Sequence, residues 1–407
     1  MKQATKQIEG GICAAKGYTA AGVNCGIRKN KLKKDLALIV STVPAACACV
    51  YTQNLVQGAP IAVTKENVAN GFAQAIICNS GNANTCNSNG VEIAQKMCQL
   101  VGETLGIPPS DVVVASTGVI GKPLSIEPIA SGIPVLAGLL ALDSNGAAEA
   151  IMTTDVKKKE IAVEFTLSGA VCRMGGIAKG SGMIQPNMAT MLGFITTDAA
   201  ITPQMLQKAL SADVPESFNM VSIDGDTSTN DMVTVLANGL AGNPVIDSEG
   251  ADYDAFCSAL HEVTLYLTRA IAGDGEGATK LIVCSVSGAA DTASAKKLAK
   301  SVINSPLVKC AMFGADANWG RVLCALGYAG IPLDVHKIGV TFASASGKVA
   351  VCQNGSGLDF SEEQAKIVLT EPEIEILITL AEGDSSATAY GCDLTYDYVK
   401  INGDYRT

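Results

Sequence analysis

Thr190 stands where the loop segment KGSGMIQPNMAT meets the apolar run MLGFITTDA. A threonine hydroxyl is a weak nucleophile unless a base lies beside it. Imidazole is the common base, and the 407-residue chain has two histidines, His261 and His336. His261 falls in the helical pattern DYDAFCSALHEVTLYLTRAIAG and His336 in the turn-like IPLDVHKIGVTF, both ordinary structural settings. A base that needs no imidazole is the α-amine of the threonine itself, which requires Thr190 to be an N-terminus. Attack of the Thr190 hydroxyl on the Ala189 carbonyl, an N-to-O acyl shift, would cut the Ala189–Thr190 bond and create that terminus. A small residue before the threonine and a glycine-bordered loop favour the attack. On spacing alone the plainer reading stands, a loop ending at a strand-starting threonine.

A second stretch with chemical potential is ASTGVIGKP, Ala115 to Pro123, which follows the apolar DVVV. Such a turn can aim backbone N–H groups at a developing oxyanion, and Thr117 adds a hydroxyl donor beside Gly118. Taken alone, it is an ordinary tight turn in which glycine supplies an unusual φ. Further polar turns are CNSGNANTCNSNG, SIDGDTSTND, AGDGEGATK and FGADANWGR. Asp224, Asp226 and Asp231 lack the spacing and terminal glutamate of an EF-hand and read as a capped turn. No metal site is expected: there is no CxxC, and the close pair Cys47 and Cys49 has no nearby histidine. A phosphate loop of the Walker or GxGxxG type is also missing.

The elements that must position these turns alternate between strand and helix. DLALIVST, PIAVTK, QAIICN and DVVVAST read as short strands, and VEIAQKMCQLVGETLG as a helix stopped by Gly106. EIAVEFTLSGAVCRMGGIAKG reads as a hairpin, and TPQMLQKALSAD as a helix capped by Thr202. ATKLIVCSVSG and HKIGVTFASASGKVAVCQ add strands, so the fold class is α/β, with extended sheets covered by helices.

Composition narrows the function classes. The net charge is -10 and the basic residues are scattered, apart from short clusters such as RKNKLKK, which argues against a nucleic-acid surface. The apolar run IPVLAGLLAL carries Pro134 and Gly138 and is too short to span a bilayer, and MKQATKQIEGGICAAKG has no apolar core of a secretion signal. The expectation is a cytoplasmic protein with no membrane partner. The 14 cysteines, spread through apolar contexts such as AIICNS and RVLCALG, read as buried reduced thiols.

The strings KGSGMIQPNMATML, NSGNAN, ASTGVIGKP, MTTD, FNMVSIDGDTSTND, GDGEGATK, FGADANWGR and YVKINGDYRT occur in order along essentially the whole chain. Together they resemble the ornithine acetyltransferase family of arginine biosynthesis, also called glutamate N-acetyltransferase. The resemblance implies an αββα sandwich of the self-processing N-terminal-nucleophile type with a smaller α/β subdomain. It implies a precursor split into an α chain, residues 1–189, and a β chain, residues 190–407, both contributing to one main domain. Two α and two β chains would assemble as a heterotetramer.

Carried onto matching positions, Thr190 is the nucleophile that takes the acetyl group, and Thr117 and Gly118 form the oxyanion hole. Thr153, Lys179, Thr190, Glu276, Asn402 and Thr407 form the substrate-binding set, with Thr154 as the neighbour competing for the first place. The implied substrates are N2-acetylornithine and glutamate, with no resident cofactor. The reading adopted is bifunctional, with acetyl-CoA as a second donor and N2-acetylornithine alone as the narrower alternative. Two rivals remain: a self-processing amidase or aminopeptidase that releases acyl groups to water, and a non-enzymatic binding protein that stays in one piece.

Overall fold

The computed structural model describes residues 5–185 and 191–404, so Ala189, Thr190 and Thr407 lie outside the described residues. Nine strands form one large sheet: β1 (Lys6–Ile8), β2 (Tyr18–Val23), β3 (Leu36–Tyr51), β4 (Phe72–Asn79), β5 (Val112–Ser116), β6 (Lys159–Leu167), β7 (Ala170–Lys179), β8 (Leu192–Thr197) and β9 (Met232–Ala237). Their order is β1-β6-β7-β8-β9-β3-β4-β5, with β2 beside β3. The expected hairpin is β6–β7, closed by Ser168 and Gly169 with φ of 46° and 87°. Two successive positive φ values make the turn whose twist matches that of paired strands.

The sequence signals a strand only over DLALIVST, yet β3 continues through Pro44 to Tyr51. Its register against β4 shifts between Val40 and Ala45, around a proline that has no N–H to give the ladder. The first half of β3 pairs with β2 and β4 and the second half with β9, so this one strand carries the sheet from one layer into the next.

Six helices belong to this unit: α1 (Ala59–Asn67), α2 (Gly90–Leu105), α3 (Glu127–Leu139), α4 (Ser144–Ile151), α5 (Pro203–Asp213) and α6 (Ala251–Ala272). Strand alternation sorts the side chains into layers. Leu36, Leu38, Ile77 and Val114 pack against α2 and α3. Ala37, Ile39, Ile76 and Val113 face the other way, onto Ile177, Phe194 and Leu236. The opposite face of those strands, with Val163, Met174 and Val235, packs on α5 and α6. The result is helix, sheet, sheet, helix: the αββα sandwich. Each buried aliphatic side chain contributes about 1.5–3 kcal/mol, so the apolar layer between the sheets dominates the cohesion of this unit.

One expected strand is a helix. PIAVTK forms α1, with Pro60 in the first turn, where a missing N–H costs nothing. Its β-branched residues are used for packing and pairing. Ile61 and Val63 are buried, and the Thr64 hydroxyl donates to the Val114 carbonyl at 2.8 Å and accepts from the Val114 N–H at 2.9 Å. Elsewhere the expected signals hold: Gly106 ends α2 with φ of 70°, and the Thr202 side chain caps α5.

The smaller α/β unit has a six-stranded sheet of β10 (Leu281–Ala289), β11 (Gly339–Ser344), β12 (Gly347–Gln353), β13 (Ser356–Gly357), β14 (Glu373–Thr379) and β15 (Ser385–Cys392). It is accompanied by α7 (Thr292–Asn304), α8 (Pro306–Phe313), α9 (Trp319–Gly327) and α10 (Glu362–Thr370). The chain then finishes its described part with α11 (Tyr396–Asp404). Among the described residues no helix is long and apolar enough to cross a membrane.

Candidate active site

Four parts of the chain meet at one end of the sandwich. From β5 comes the Thr117–Gly118 turn. The Thr117 N–H donates to the Asn79 carbonyl at 3.0 Å, which fastens it to the end of the parallel neighbour β4. Gly118 has φ of 128°, and a Cβ there would lie 2.5 Å from the Gly81 carbonyl carbon and 2.6 Å from the Asn82 nitrogen. Glycine is therefore required by two independent constraints, conformation and backbone proximity. Among the described residues no acceptor pairs with the Gly118 N–H.

From the other layer comes Lys179, the last residue of β7. Its register partner is Leu192, the first residue of β8, and Leu192 in turn pairs with Met232 at the start of β9. The chain that carries the Ala189–Thr190 junction thus leaves and re-enters the sheet beside Lys179. The Lys179 ammonium reaches back to the Thr117 hydroxyl at 3.4 Å, linking the two layers.

Glu276, on the turn after α6, supplies the third wall. Its N–H donates to the Ser181 carbonyl at 2.8 Å, and its carboxylate accepts from the Asn402 side chain of α11 at 2.7 Å. Gly182 makes room for it, since a Cβ there would fall 2.4 Å from the carboxylate. The fourth part is the Thr153–Thr154 loop, tied to the second, just past Lys179, by a 2.7 Å hydrogen bond between the hydroxyls of Thr154 and Ser181.

These parts enclose a cavity of about 320 Å³ whose lining includes six of the residues singled out from sequence: Thr117, Gly118, Thr153, Lys179, Glu276 and Asn402. Thr154 lines it as well. His261 is elsewhere, its ring nitrogen 2.7 Å from the Asp213 carboxylate in a groove on α6 that holds none of these six residues. His336 is exposed in a short helical turn. Among the described residues no group of three or more potential ligands is placed to hold a metal ion.

Comparison with known proteins decides the family. The ArgJ family model matches residues 19–407. The chain belongs to the ArgJ family. The arginine biosynthesis bifunctional protein ArgJ of Symbiobacterium thermophilum is 50% identical over 403 residues, covering 98% of this chain and 99% of the relative. ArgJ 1 of Clostridium acetobutylicum is 50% identical over 392 residues, 96% of each chain. Among solved structures, an ArgJ chain from Bacillus halodurans is 45% identical, with a TM-score of 0.49 over 52% of this chain and 97% of its own length. The ornithine acetyltransferase of Mycobacterium tuberculosis, solved with ornithine, is 32% identical, with a TM-score of 0.43 over 46% of this chain and 100% of its own.

The electrostatics of this ArgJ site are set by a buried set of charges behind the cavity. Lys159, with 1% of its side chain exposed, bridges Asp155 at 2.7 Å and Asp274 at 2.6 Å. The remaining lone pairs of both carboxylates are used by loop backbone. Asp155 accepts from the Thr153 and Gly180 N–H groups at 2.9 and 2.7 Å, and Asp274 from those of Val156 and Lys157, both at 3.1 Å. One ion cluster thereby pins the Thr153 loop, the turn after Lys179 and the turn before Glu276. The sequence hides it, because Lys159 ends the run KKK that reads as a solvated face, and its two partners lie 4 and 115 residues away.

Burial draws the Lys179 ammonium down from the ordinary lysine range, and the Asp155 carboxylate works against that. For Asp155 itself burial works upward, but Lys159 and Lys179 prevail and hold it well below the usual carboxylate range. Asp231 differs: burial pushes it well above that range, and its Oδ2 has no hydrogen-bond partner among the described residues. The Lys179 cation works against that rise. Asp231 is close to Asp224 in sequence, but Asp224 has another task, accepting the N–H groups of Met183 and Ile184 at 2.6 and 2.8 Å.

Proposed function

We propose that this ArgJ family member moves an acetyl group from N2-acetylornithine to glutamate through an ester on Thr190, with acetyl-CoA as a second donor. The observation that supports this most is the cavity itself. It gathers a hydroxyl at Thr117, a Gly118 N–H with no acceptor among the described residues, a cation at Lys179 and a carboxylate at Glu276, next to the points where the Ala189–Thr190 segment leaves and rejoins the sheet.

Each group has a task in a two-stroke transfer. After the Ala189–Thr190 bond is cut, the α-amine of Thr190 takes the proton of its own hydroxyl as the oxygen attacks the acetyl carbonyl. The Thr117 hydroxyl and the Gly118 N–H donate to the resulting oxyanion. When the C–N bond breaks, the α-ammonium returns the proton to the departing α-amine of ornithine, and the acetyl group remains on Thr190. Glutamate then attacks the ester by the reverse sequence, its α-amine passing a proton to Thr190 and leaving as N-acetylglutamate. Lys179 pairs with the α-carboxylate that both amino acids carry, and Glu276, held by Asn402, faces a substrate ammonium. Thr153 and Thr407 complete the binding set. Transfer through a threonine ester needs no resident cofactor. A cytoplasmic heterotetramer of two α and two β chains is the assembly proposed with this reading.

Denaturing electrophoresis and a transfer assay test it together. Purified protein runs as two fragments of similar size, Thr190→Ala runs as one, and acetyl transfer from N2-acetylornithine requires glutamate. Because an unperturbed α-amine titrates near 8, the rate rises through neutral to mildly alkaline pH. Acetate release that ignores glutamate would identify an amidase instead, and full-length protein that transfers acetyl groups would rule out the terminal-amine mechanism.

A further inference from the structure

Asn230 stands near the end of the turn SIDGDTSTND, two residues before β9 begins. It is 6% exposed and shares the lining of the cavity with Thr117 and Gly118. A side-chain amide has two N–H donors and an oxygen with two lone pairs, and here all four positions are used. The donors go to two carbonyls, of Ala83 at 2.6 Å and of Ser116 at 3.0 Å. The oxygen accepts the hydroxyls of Thr85 at 2.5 Å and of Thr229 at 2.6 Å. Because a carbonyl cannot donate, these partners also fix which end of the amide is nitrogen.

These partners bracket the Thr117–Gly118 turn. The Ser116 carbonyl and the Thr117 N–H belong to one peptide group. Asn230 holds its oxygen, and the Asn79 carbonyl holds its hydrogen at 3.0 Å, so the plane that enters Thr117 is fixed from both ends. Beyond the turn, the Ala83 N–H donates to the Val119 carbonyl and the Gly121 N–H to the Thr85 carbonyl, both at 2.9 Å. Asn230 grips Ala83 and Thr85 as well, so one amide ties the chain before the turn to the loop that holds the chain after it. It also ties the turn to the chain that follows the cleavage segment. Met232, two residues on, donates its N–H at 3.0 Å to the carbonyl of Met191, which follows Thr190 in sequence. The fit has little slack, since a Cβ on Gly58 would lie 2.4 Å from the Asn230 amide nitrogen.

We propose that Asn230 is the positioning residue of the oxyanion hole, setting where the Thr117 hydroxyl and the Gly118 N–H point before an acyl carbonyl arrives. It acts through those two groups, because its own four hydrogen-bonding positions are spent within the protein. Donors aimed at a developing charge are effective only when they are held in place before the charge appears. The inference rests on reading Thr117 and Gly118 as the oxyanion hole of the proposed transfer.

The test is whether Asn230→Ala and Thr117→Val cause the same loss. Acetyl transfer from N2-acetylornithine to glutamate is measured for each variant and for the double variant, with kcat counted per chain cut into two fragments. Asn230→Ala lowers kcat about 10–100-fold and leaves KM for glutamate within about twofold, because neither Lys179 nor Glu276 is among its partners. Thr117→Val costs about 10²–10³-fold alone but less than about tenfold in the Asn230→Ala background, since a hydroxyl already displaced has little left to contribute. Loss of folded protein would instead multiply with the Thr117→Val effect. If Asn230→Ala stays uncut, Thr85→Val takes its place. It removes one hydroxyl from the amide oxygen and lowers kcat about 2–10-fold at constant KM. A full Thr117→Val effect in either background, an unchanged kcat, or a rise in KM that matches the fall in kcat overturns the assignment while sparing the reading of the cavity. Wild-type protein that transfers no acetyl group would remove that reading, and the role of Asn230 with it.

Discussion

On one side of the cavity the Thr117–Gly118 turn offers neutral donors placed by backbone shape; on the other, Lys179 stands among buried charges held by Asp155, Lys159 and Asp274. The first wall works through a φ of 128° and a gap that no Cβ can enter. The second works through compensation, in which each ion is tolerable only because its partners are present. Neutral donors aimed at an oxyanion act on the transition state, whereas a cation paired with a carboxylate acts on substrate binding as well. The two walls should therefore fail in different ways when broken.

The largest effect is expected in the ionic wall. Lys159→Met leaves two buried carboxylates facing each other without a cation, and removal of one partner from a buried pair typically costs about 3–5 kcal/mol. Urea unfolding should register that loss. Stability close to wild type would mean that the cluster contributes shape rather than charge. Next comes Thr117→Val, which removes an oxyanion donor while keeping volume. It should lower kcat by about 10²–10³-fold with KM little changed. An increase in KM at constant kcat would assign Thr117 to ground-state binding and blur the distinction between the walls.

A smaller and more specific effect concerns pH. Among the groups that bear on Lys179, the Asp155 carboxylate favours its ammonium and Lys159 opposes it, while Asp231 and the Cys78 thiol, both pushed up by burial, face it as well. Lysine is charged below its pKa, and that pKa is already lowered by burial. Asp155→Asn removes the leading favourable charge, so the pKa falls further and the ammonium is lost at a lower pH. The alkaline limb of kcat/KM for glutamate should move about 1–3 units towards acid, the usual reach of one close charge. A uniform loss of activity with an unmoved limb would reduce Asp155 to a loop anchor.

The same contrast explains what could be read from sequence. The shape-determined wall is legible, because glycine and threonine after an apolar run announce a strand-end turn, and the β6–β7 hairpin and the ends of α2 and α5 carry equally local signals. The bend of β3 around Pro44 and the helical state of PIAVTK are not local properties. The former depends on which partners each half of the strand finds, and the latter on packing of Thr64 against Val114. The ionic cluster is the least legible part, since its members come from loops distant in sequence and are tuned by burial. For the same reason Thr153, Glu276 and Asn402 entered as site residues only through family resemblance, although the cavity brings them together.

The central claim is that an internal threonine becomes a terminus and then carries the acetyl group. Incubating the enzyme with N2-acetylornithine in the absence of glutamate, quenching in acid and sequencing the peptides by mass spectrometry tests it directly. The account predicts a peptide beginning at Thr190 with one added acetyl on the threonine side chain, discharged when glutamate is supplied before the quench. A peptide that reads through Ala189–Thr190, or an acetyl group on any other residue that discharges to glutamate, would contradict it.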